Sequence, residues 1–368
     1  MKLESGKPYF ERAINLLKMS LAFVALSLVP QAIASIPPGL DEATPVPQVQ
    51  SESPISEEES AKPVIEKVNE KVNAAYWLTR LKAALTETNF DAGIVTIKGD
   101  KTESFQWSHG YQAEQQLEIE RVSPLIGGGA VTVRKGSTVA FIEPNKETYS
   151  VKSQSIRNFI PPIFYKDAAA LVDSYQFVLV SKSQITGRSA QLIRIESIAN
   201  TTYNYWVWID VLSGLPLRMA FVNEAGEVME QVLMTHLTLH QELSPEMTKL
   251  ADLPLPAPPA TGLAQRNETN NWQMTWLPPG FELLKSDRHH VSISREVSDY
   301  YLYGDGLTEV SIYVQRPLES FNSPIVLQDG ATSFVMVRAE GFDVTVVGKI
   351  PPQIAFNIAK SVKSVQQS

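Results

Sequence analysis

Between residues 92 and 239 the chain is punctuated too often to be helical. Short apolar or alternating stretches recur, and each ends in a turn signal. Stretches 92–98, 104–109, 115–121, 131–133, 138–142 and 147–151 come first. Stretches 175–181, 190–197, 203–210, 216–222 and 228–239 follow. Period-two patterning bounded by turn residues is the signature of strands. Arg134-Lys135-Gly136-Ser137 joins two of them as a hairpin, and Gly187, Ser213-Gly214 and Ala225-Gly226 mark later turns. Short connections between successive strands permit only antiparallel pairing, so a meandering antiparallel sheet is predicted. Two helical pieces, around 155–159 and 166–174, interrupt it, with Pro161-Pro162 between them.

The segments before the sheet read differently. Lys2, Lys7, Arg12 and Lys18 precede an apolar run from 19 to 29, then Pro30 and the small residues Ala32 and Ala34. This is the pattern of a secretory leader, residues 1–34, cut after Ala34. An uncut membrane anchor is the competing reading. Residues 35–63 carry six prolines and the cluster Glu57-Glu58-Glu59. They bury too little apolar area to offset the entropy of ordering, so a disordered acidic linker is expected. From Val64 the residues Val68, Val72, Ala75, Leu78, Leu81 and Leu85 recur at three and four, which predicts an amphipathic helix.

The first domain is placed at 64–244 and a Pro-rich linker at 245–271. A smaller α+β domain follows at 272–368, with strands at 298–302, 308–315, 333–340 and 342–349 and a last helix over 354–365. The fold class is α+β, mainly antiparallel β.

Export matters because the chain has no cysteine, so its domains must hold on burial alone. Without the leader, 28 basic and 38 acidic residues remain, a net charge of −10. That balance argues against a nucleic-acid partner, which calls for a basic footprint.

Nothing nominates catalysis. His236 and His240 fall on an alternating stretch, where i and i+4 stand roughly 13 Å apart, too far to share a metal. His289-His290 read as an exposed loop pair. Gly127-Gly128-Gly129 is not followed by the Lys-Ser/Thr of a phosphate cradle, and no G-x-S-x-G elbow occurs. No enzyme activity, no metal and no cofactor are expected.

The stretch 203–210 is unusual in being apolar on both faces: Tyr203, Tyr205, Val207 and Ile209 alternate with Asn204, Trp206, Trp208 and Asp210. Two readings stay open. The sheet is buried on both faces, or one face lines a groove for a lipid or an unfolded peptide.

Several blocks resemble one family. Tyr205-Trp206-Val207-Trp208-Ile209-Asp210 is followed by Gly214-Leu215-Pro216-Leu217-Arg218-Met219 and Gly226-Glu227-Val228-Met229-Glu230-Gln231. Thr275-Trp276-Leu277-Pro278-Pro279-Gly280-Phe281, Tyr303-Gly304-Asp305-Gly306-Leu307 and Val347-Gly348-Lys349-Ile350-Pro351-Pro352 come later. In this order they resemble the periplasmic sigma-E regulators of the RseB/MucB family.

The resemblance implies a first domain of lipoprotein-carrier type, like LolA and LppX: an unclosed β-barrel with helices plugging its concave side. It also implies a job, binding the periplasmic part of a transmembrane anti-sigma factor of RseA/MucA type and shielding it from the site-1 protease. Lipopolysaccharide, another lipid or unfolded outer-membrane protein peptides would cause release. A periplasmic lipid or lipoprotein carrier is the alternative, and self-association stays open. Because aromatic anchors dominate binding hot spots, Trp206, Trp208, Phe141 and Tyr149 are the candidate ligand residues. Trp276, Leu277, Phe281, Tyr301 and Tyr303 are the candidate partner residues. Core packing competes for each, for Trp276 above all.

Overall fold

The computed structural model describes residues 64–127, 129–153, 156, 159–258, 271–290, 297–317 and 323–365. The expected leader, its cut after Ala34 and the acidic segment 35–63 lie outside these residues. The first helix, α1 (Val64–Glu87), buries Ala74, Trp77, Leu78, Leu81, Ala84 and Leu85. The stripe passes through Ala74, not the expected Ala75, which is exposed. Trp77 shifts its centre, because an indole commands more buried area than any neighbouring aliphatic.

Eleven strands follow. The first six are β1 (Asn89–Lys98), β2 (Lys101–Gln112), β3 (Leu117–Pro124), β4 (Val131–Lys135), β5 (Thr138–Ile142) and β6 (Tyr149–Lys152). Two 3-10 turns, Pro162–Tyr165 and Ala168–Leu171, separate them from β7 (Tyr175–Ile185), β8 (Arg188–Ser197), β9 (Asn204–Asp210), β10 (Pro216–Val222) and β11 (Val228–His240). The order is β6-β5-β4-β3-β2-β1-β11-β10-β9-β8-β7. Two meanders are thus joined by one long-range pairing, β1 with β11, which runs from Asn89↔His240 to Lys98↔Glu230. The ends β6 and β7 do not meet, so the sheet is unclosed.

One face of this sheet is plugged. Leu81 and Leu85 of α1 and Ile163, Phe164 and Leu171 of the 3-10 turns pack on Tyr205, Val207 and Ile209. The Phe164 and Tyr205 rings lie 5.7 Å apart. Between Ile94, Trp107, Phe159, Ile160, Met219 and Met234 only about 10 Å³ remains open. That is close to the room one water needs, so no lipid-sized space is left between these residues. The helical pieces differ from expectation, since Pro162 opens a turn where it was read only as a break. Its fixed φ and missing N–H suit a first helical position.

Proline misleads once more at 245. The expected linker begins with a helix, α2 (Pro245–Asp252), capped by Ser244 Oγ accepting from Met247 N. Met247 is buried, Glu246 pairs with Arg121 at 2.9 Å, and Lys135 Nζ donates to Leu253 O at 2.9 Å. This helix is part of the first domain.

The second domain contains β12 (Trp272–Met274), β13 (Glu282–His290), β14 (Val297–Gly304), β15 (Glu309–Gln315), β16 (Ile325–Asp329), β17 (Thr332–Ala339), β18 (Phe342–Gly348), α3 (Pro352–Ser361) and β19 (Val362–Ser364). Six strands form an antiparallel sheet ordered β13-β14-β15-β18-β17-β16, and β12 pairs with β19. The last helix stops at Ser361, short of the expected 365, because Val362–Ser364 turns extended to pair with β12. Val310, Ile312, Val335, Val337, Val344 and Val346 pack with Ala355, Ile358 and Ala359 of α3. The opposite face of the sheet turns toward the first domain.

Candidate functional site

Two hairpin tips of the second domain dock on the first. Both contain a glycine that the approach requires. At the first tip, Gly306 has φ +90° and lies against Ile163, and a Cβ there would meet Ile163 Cδ1 at 3.2 Å. Ile163 N donates to Gly306 O at 3.1 Å. The neighbouring Leu307 is 4% exposed and belongs to the first domain's core. Asp305 Oδ1 accepts from the N–H groups of Leu307 (2.9 Å) and Thr308 (2.8 Å). Its Oδ2 accepts from Tyr175 Oη at 2.6 Å.

At the second tip, Gly330 has φ +57°, and a Cβ there would fall 2.7 Å from Lys98 Cγ and 3.1 Å from Met229 O. Ala331 is fully buried in the first domain's core. Asp329 pairs with Lys101 at 3.0 Å and Lys98 at 3.5 Å. Lys98 Nζ also donates to Thr332 Oγ1 at 3.1 Å, and Gln328 Nε2 to Tyr203 Oη at 3.0 Å.

Between the tips lies a cleft of about 350 Å³. The first domain contributes Phe159, Ile160, Pro161, Pro162 and Phe221, and the second contributes Tyr300, Leu302, Ser311, Tyr313 and Val347. Glu309 and Lys349 stand on its wall. Lys349 Nζ is held by Glu230 at 2.6 Å and lies 4.8 Å from the Phe221 ring centre. The Tyr300 and Tyr313 rings are 5.0 Å apart. An apolar, aromatic cleft with a few polar groups at a domain junction is the usual form of a binding site.

Burial pushes the Asp305 carboxyl above the ordinary carboxylate range, against the hydrogen bonds it accepts. Burial and then the charge of Asp305 push Glu309 upward, while Lys166 pulls it down. Tyr175 is raised by burial and by Asp305. Burial and then Tyr300 push Tyr313 up to about 12. In all four groups burial therefore disfavours the charged form.

The cleft is not built from the residues the sequence nominated. Tyr301 and Tyr303 oppose Ile312 and Val310 and face the α3 side, where Tyr301 is 2% exposed. Their alternate neighbours Tyr300 and Leu302 line the cleft. Leu277 and Phe281 pack on the second domain's own core. Trp276 is 37% exposed and outside the cleft lining. Trp206 and Trp208 lie on the face opposite the plug, 6.0 Å apart, under the guanidinium groups of Arg194 (4.8 Å) and Arg218 (4.5 Å). Phe141 and Tyr149 stack at 5.1 Å between β5 and the edge strand β6. A signal for the cleft was present in the Gly-Asp-Gly-Leu block, whose Asp305, Gly306 and Leu307 make the first tip.

His240 Nε2 lies 2.7 Å from Asp91 Oδ2, and His236 Nε2 lies 2.9 Å from Thr238 Oγ1. His109 is buried, with Nδ1 2.7 Å from Thr88 O, and burial lowers its pKa. Among the described residues no group of three or more His, Asp or Glu is placed to hold a metal, and no helix is long and apolar enough to cross a membrane.

Comparison with known proteins matches both domains. Residues 73–252 match the MucB/RseB N-terminal domain and residues 266–363 the MucB/RseB C-terminal domain. The sigma-E factor regulatory protein RseB of Salmonella typhimurium is 28% identical over 292 residues, covering 78% of this chain and 89% of that protein. RseB of Escherichia coli K12 is 27% identical over 287 residues, with the same coverage. The sigma factor AlgU regulatory protein MucB of Pseudomonas aeruginosa is 24% identical over 298 residues, covering 80% and 92%. Among solved structures, MucB in complex with MucA(peri) aligns with a TM-score of 0.64 at 22% identity, covering 80% of this chain and 100% of that one. The MucA/MucB complex of Pseudomonas aeruginosa aligns at 0.65 and 23%, with equal coverage. These two share the fold seen here. With both family domains present in order, the chain belongs to the MucB/RseB family.

Proposed function

We propose that this protein is a negative regulator of an envelope-stress sigma factor, working in the periplasm after export. It binds the periplasmic region of a transmembrane anti-sigma factor and shields that region from the site-1 protease. The observation that carries this reading is the aromatic cleft of about 350 Å³ between the two family domains. Relatives that span the same two domains are named as sigma-E factor regulatory proteins. A solved relative of the same fold is in complex with MucA(peri). An extended segment seated between the domains is removed from a protease's reach, because cleavage needs the segment free in an active site. The protein acts by binding and has no catalytic role.

Release follows by linkage. A ligand that prefers the unbound or opened form shifts the population away from the complex by no more than its differential affinity. Lipopolysaccharide, another lipid or unfolded outer-membrane protein peptides fill that role in this reading, and self-association offers a second route. Storage of a lipid beneath the sheet, as a carrier would need, requires the plug to move first. The test is cleavage of the cognate anti-sigma factor's periplasmic region by site-1 protease, with and without the mature protein. Protection is expected, and Leu302→Asp in the cleft should abolish it while leaving the fold intact. Unchanged cleavage with saturating wild-type protein would overturn the reading.

A further inference from the structure

One acidic group in the cleft has no partner. Glu309 opens β15 at the cleft wall, and its side chain takes part in no hydrogen bond or ion pair among the described residues, with Asp305 and Lys166 the charges that act on it, while Asp305, Lys349 and Asp329 are all held. On β14 its cross-strand neighbour is a glycine, and on β18 the ladder ends one residue short of it, at Val310↔Gly348. Gly304 of β14 pairs directly with Glu309. A Cβ on Gly304 would meet Thr308 O at 2.8 Å and Glu309 Cγ at 3.2 Å. Gly348 of β18 pairs with Val310, and a Cβ there would meet Glu309 O at 2.8 Å. The carboxylate therefore stands beside a notch on its β14 flank, where Gly304 carries no side chain. Beyond the notch rise the aromatic walls, Tyr300, Tyr313 and Phe221.

From this juxtaposition we infer that the cleft recognises one basic side chain, Arg or Lys, in an otherwise apolar extended segment, with Glu309 as its charge partner. The chemistry is specific. A carboxylate beside aromatic faces offers a cation both an ion pair and ring quadrupoles. An acidic residue at that position in the segment would meet Glu309 and be repelled, which gives selectivity by exclusion. Withdrawal of the carboxylate from water raises its pKa. An arriving cation would act against that shift, in the same sense as Lys166.

The inference rests on the reading that the cleft seats the anti-sigma segment, and the experiment separates the two. Nine-residue peptides tiled through the periplasmic region of the cognate anti-sigma factor are titrated against the full mature protein by fluorescence anisotropy. Each basic residue is also replaced by Gln. One peptide should bind and lose about tenfold in affinity when its basic residue is replaced. Glu309→Gln should cost the unmodified peptide the same factor and add nothing for the Gln peptide. Glu309→Lys should bind a peptide carrying Glu there better than the original. Glu309→Gln removes a charge that burial disfavours, so it should not lower the unfolding midpoint. Binding that stays within twofold through every charge change would overturn the inference and leave the cleft reading standing. If neither peptides nor the whole region bind, the cleft reading fails first and takes the inference with it.

Discussion

The two docking tips solve the same problem with different chemistry. The Gly306 tip is apolar and hydrogen-bonded. Leu307 enters the first domain's core, and Asp305 is sheltered beneath Tyr175 with no cation bonded to it. The Gly330 tip also buries an apolar residue, Ala331, but its polar contacts are ionic and partly wet. Side chains of Lys98 and Asp329 are about a fifth exposed, and that of Lys101 is 66% exposed. Exposed ion pairs are screened by salt and contribute little, whereas a buried hydrogen bond to a carboxyl group is insensitive to salt. The first tip should therefore act as the permanent joint, and the second as the side that yields when the cleft opens.

The largest expected effect breaks the joint. Leu307→Ala should cost about 2–4 kcal/mol of domain docking, read as a larger radius of gyration in solution scattering and a lower unfolding midpoint. Next comes Tyr175→Phe, which removes the hydroxyl that bonds Asp305 and should cost about 1.5–3 kcal/mol.

The pH dependence of docking follows from the same carboxyls. Asp305 and Glu309 both have pKa values raised in the docked form. The docked form therefore binds more protons than the undocked one at intermediate pH. Docking should strengthen as pH falls from neutrality through the raised pKa values, and level off below the ordinary carboxylate range. Asp305→Asn should flatten most of that slope in a pH series of scattering or unfolding measurements.

A smaller effect is expected at the second tip. Asp329→Asn should cost about 0.5–1 kcal/mol at low salt. Raising the salt from about 0.05 M to 0.5 M should loosen the wild type but leave this variant unmoved. A salt response equal in both would erase the difference drawn between the tips. The smallest effect is expected away from either tip. Trp206→Leu, on the face opposite the plug, should leave affinity for the anti-sigma region within twofold.

Much of the fold was legible because strands and turns are local. Alternation and glycine turns place most of β1 to β11 within a few residues. The strands missed were β12, β13, β16 and β19: β13 runs Glu282–His290 through charged residues, β12 and β19 are three residues long, and β16 is five. Such strands exist because a neighbour supplies the ladder. Proline was misread where it starts a helix, at 162 and 245.

The residues that line the cleft were less legible for a geometric reason. In a strand, adjacent aromatics point to opposite faces. Tyr300, Tyr301, Leu302 and Tyr303 look equivalent in sequence, but only the even members face the cleft. Parity became visible only when α3 was seen to cover the other face.

By itself, then, the order of residues determined the strand succession, the family and the two-domain plan, since each rests on local pattern. Tertiary structure alone decided which face of each strand meets the other domain, that α1 and the 3-10 turns pack on one face of the sheet, and that the Glu309 side chain stands unbonded beside Gly304. Those facts depend on contacts between residues far apart in the chain, which no local pattern encodes.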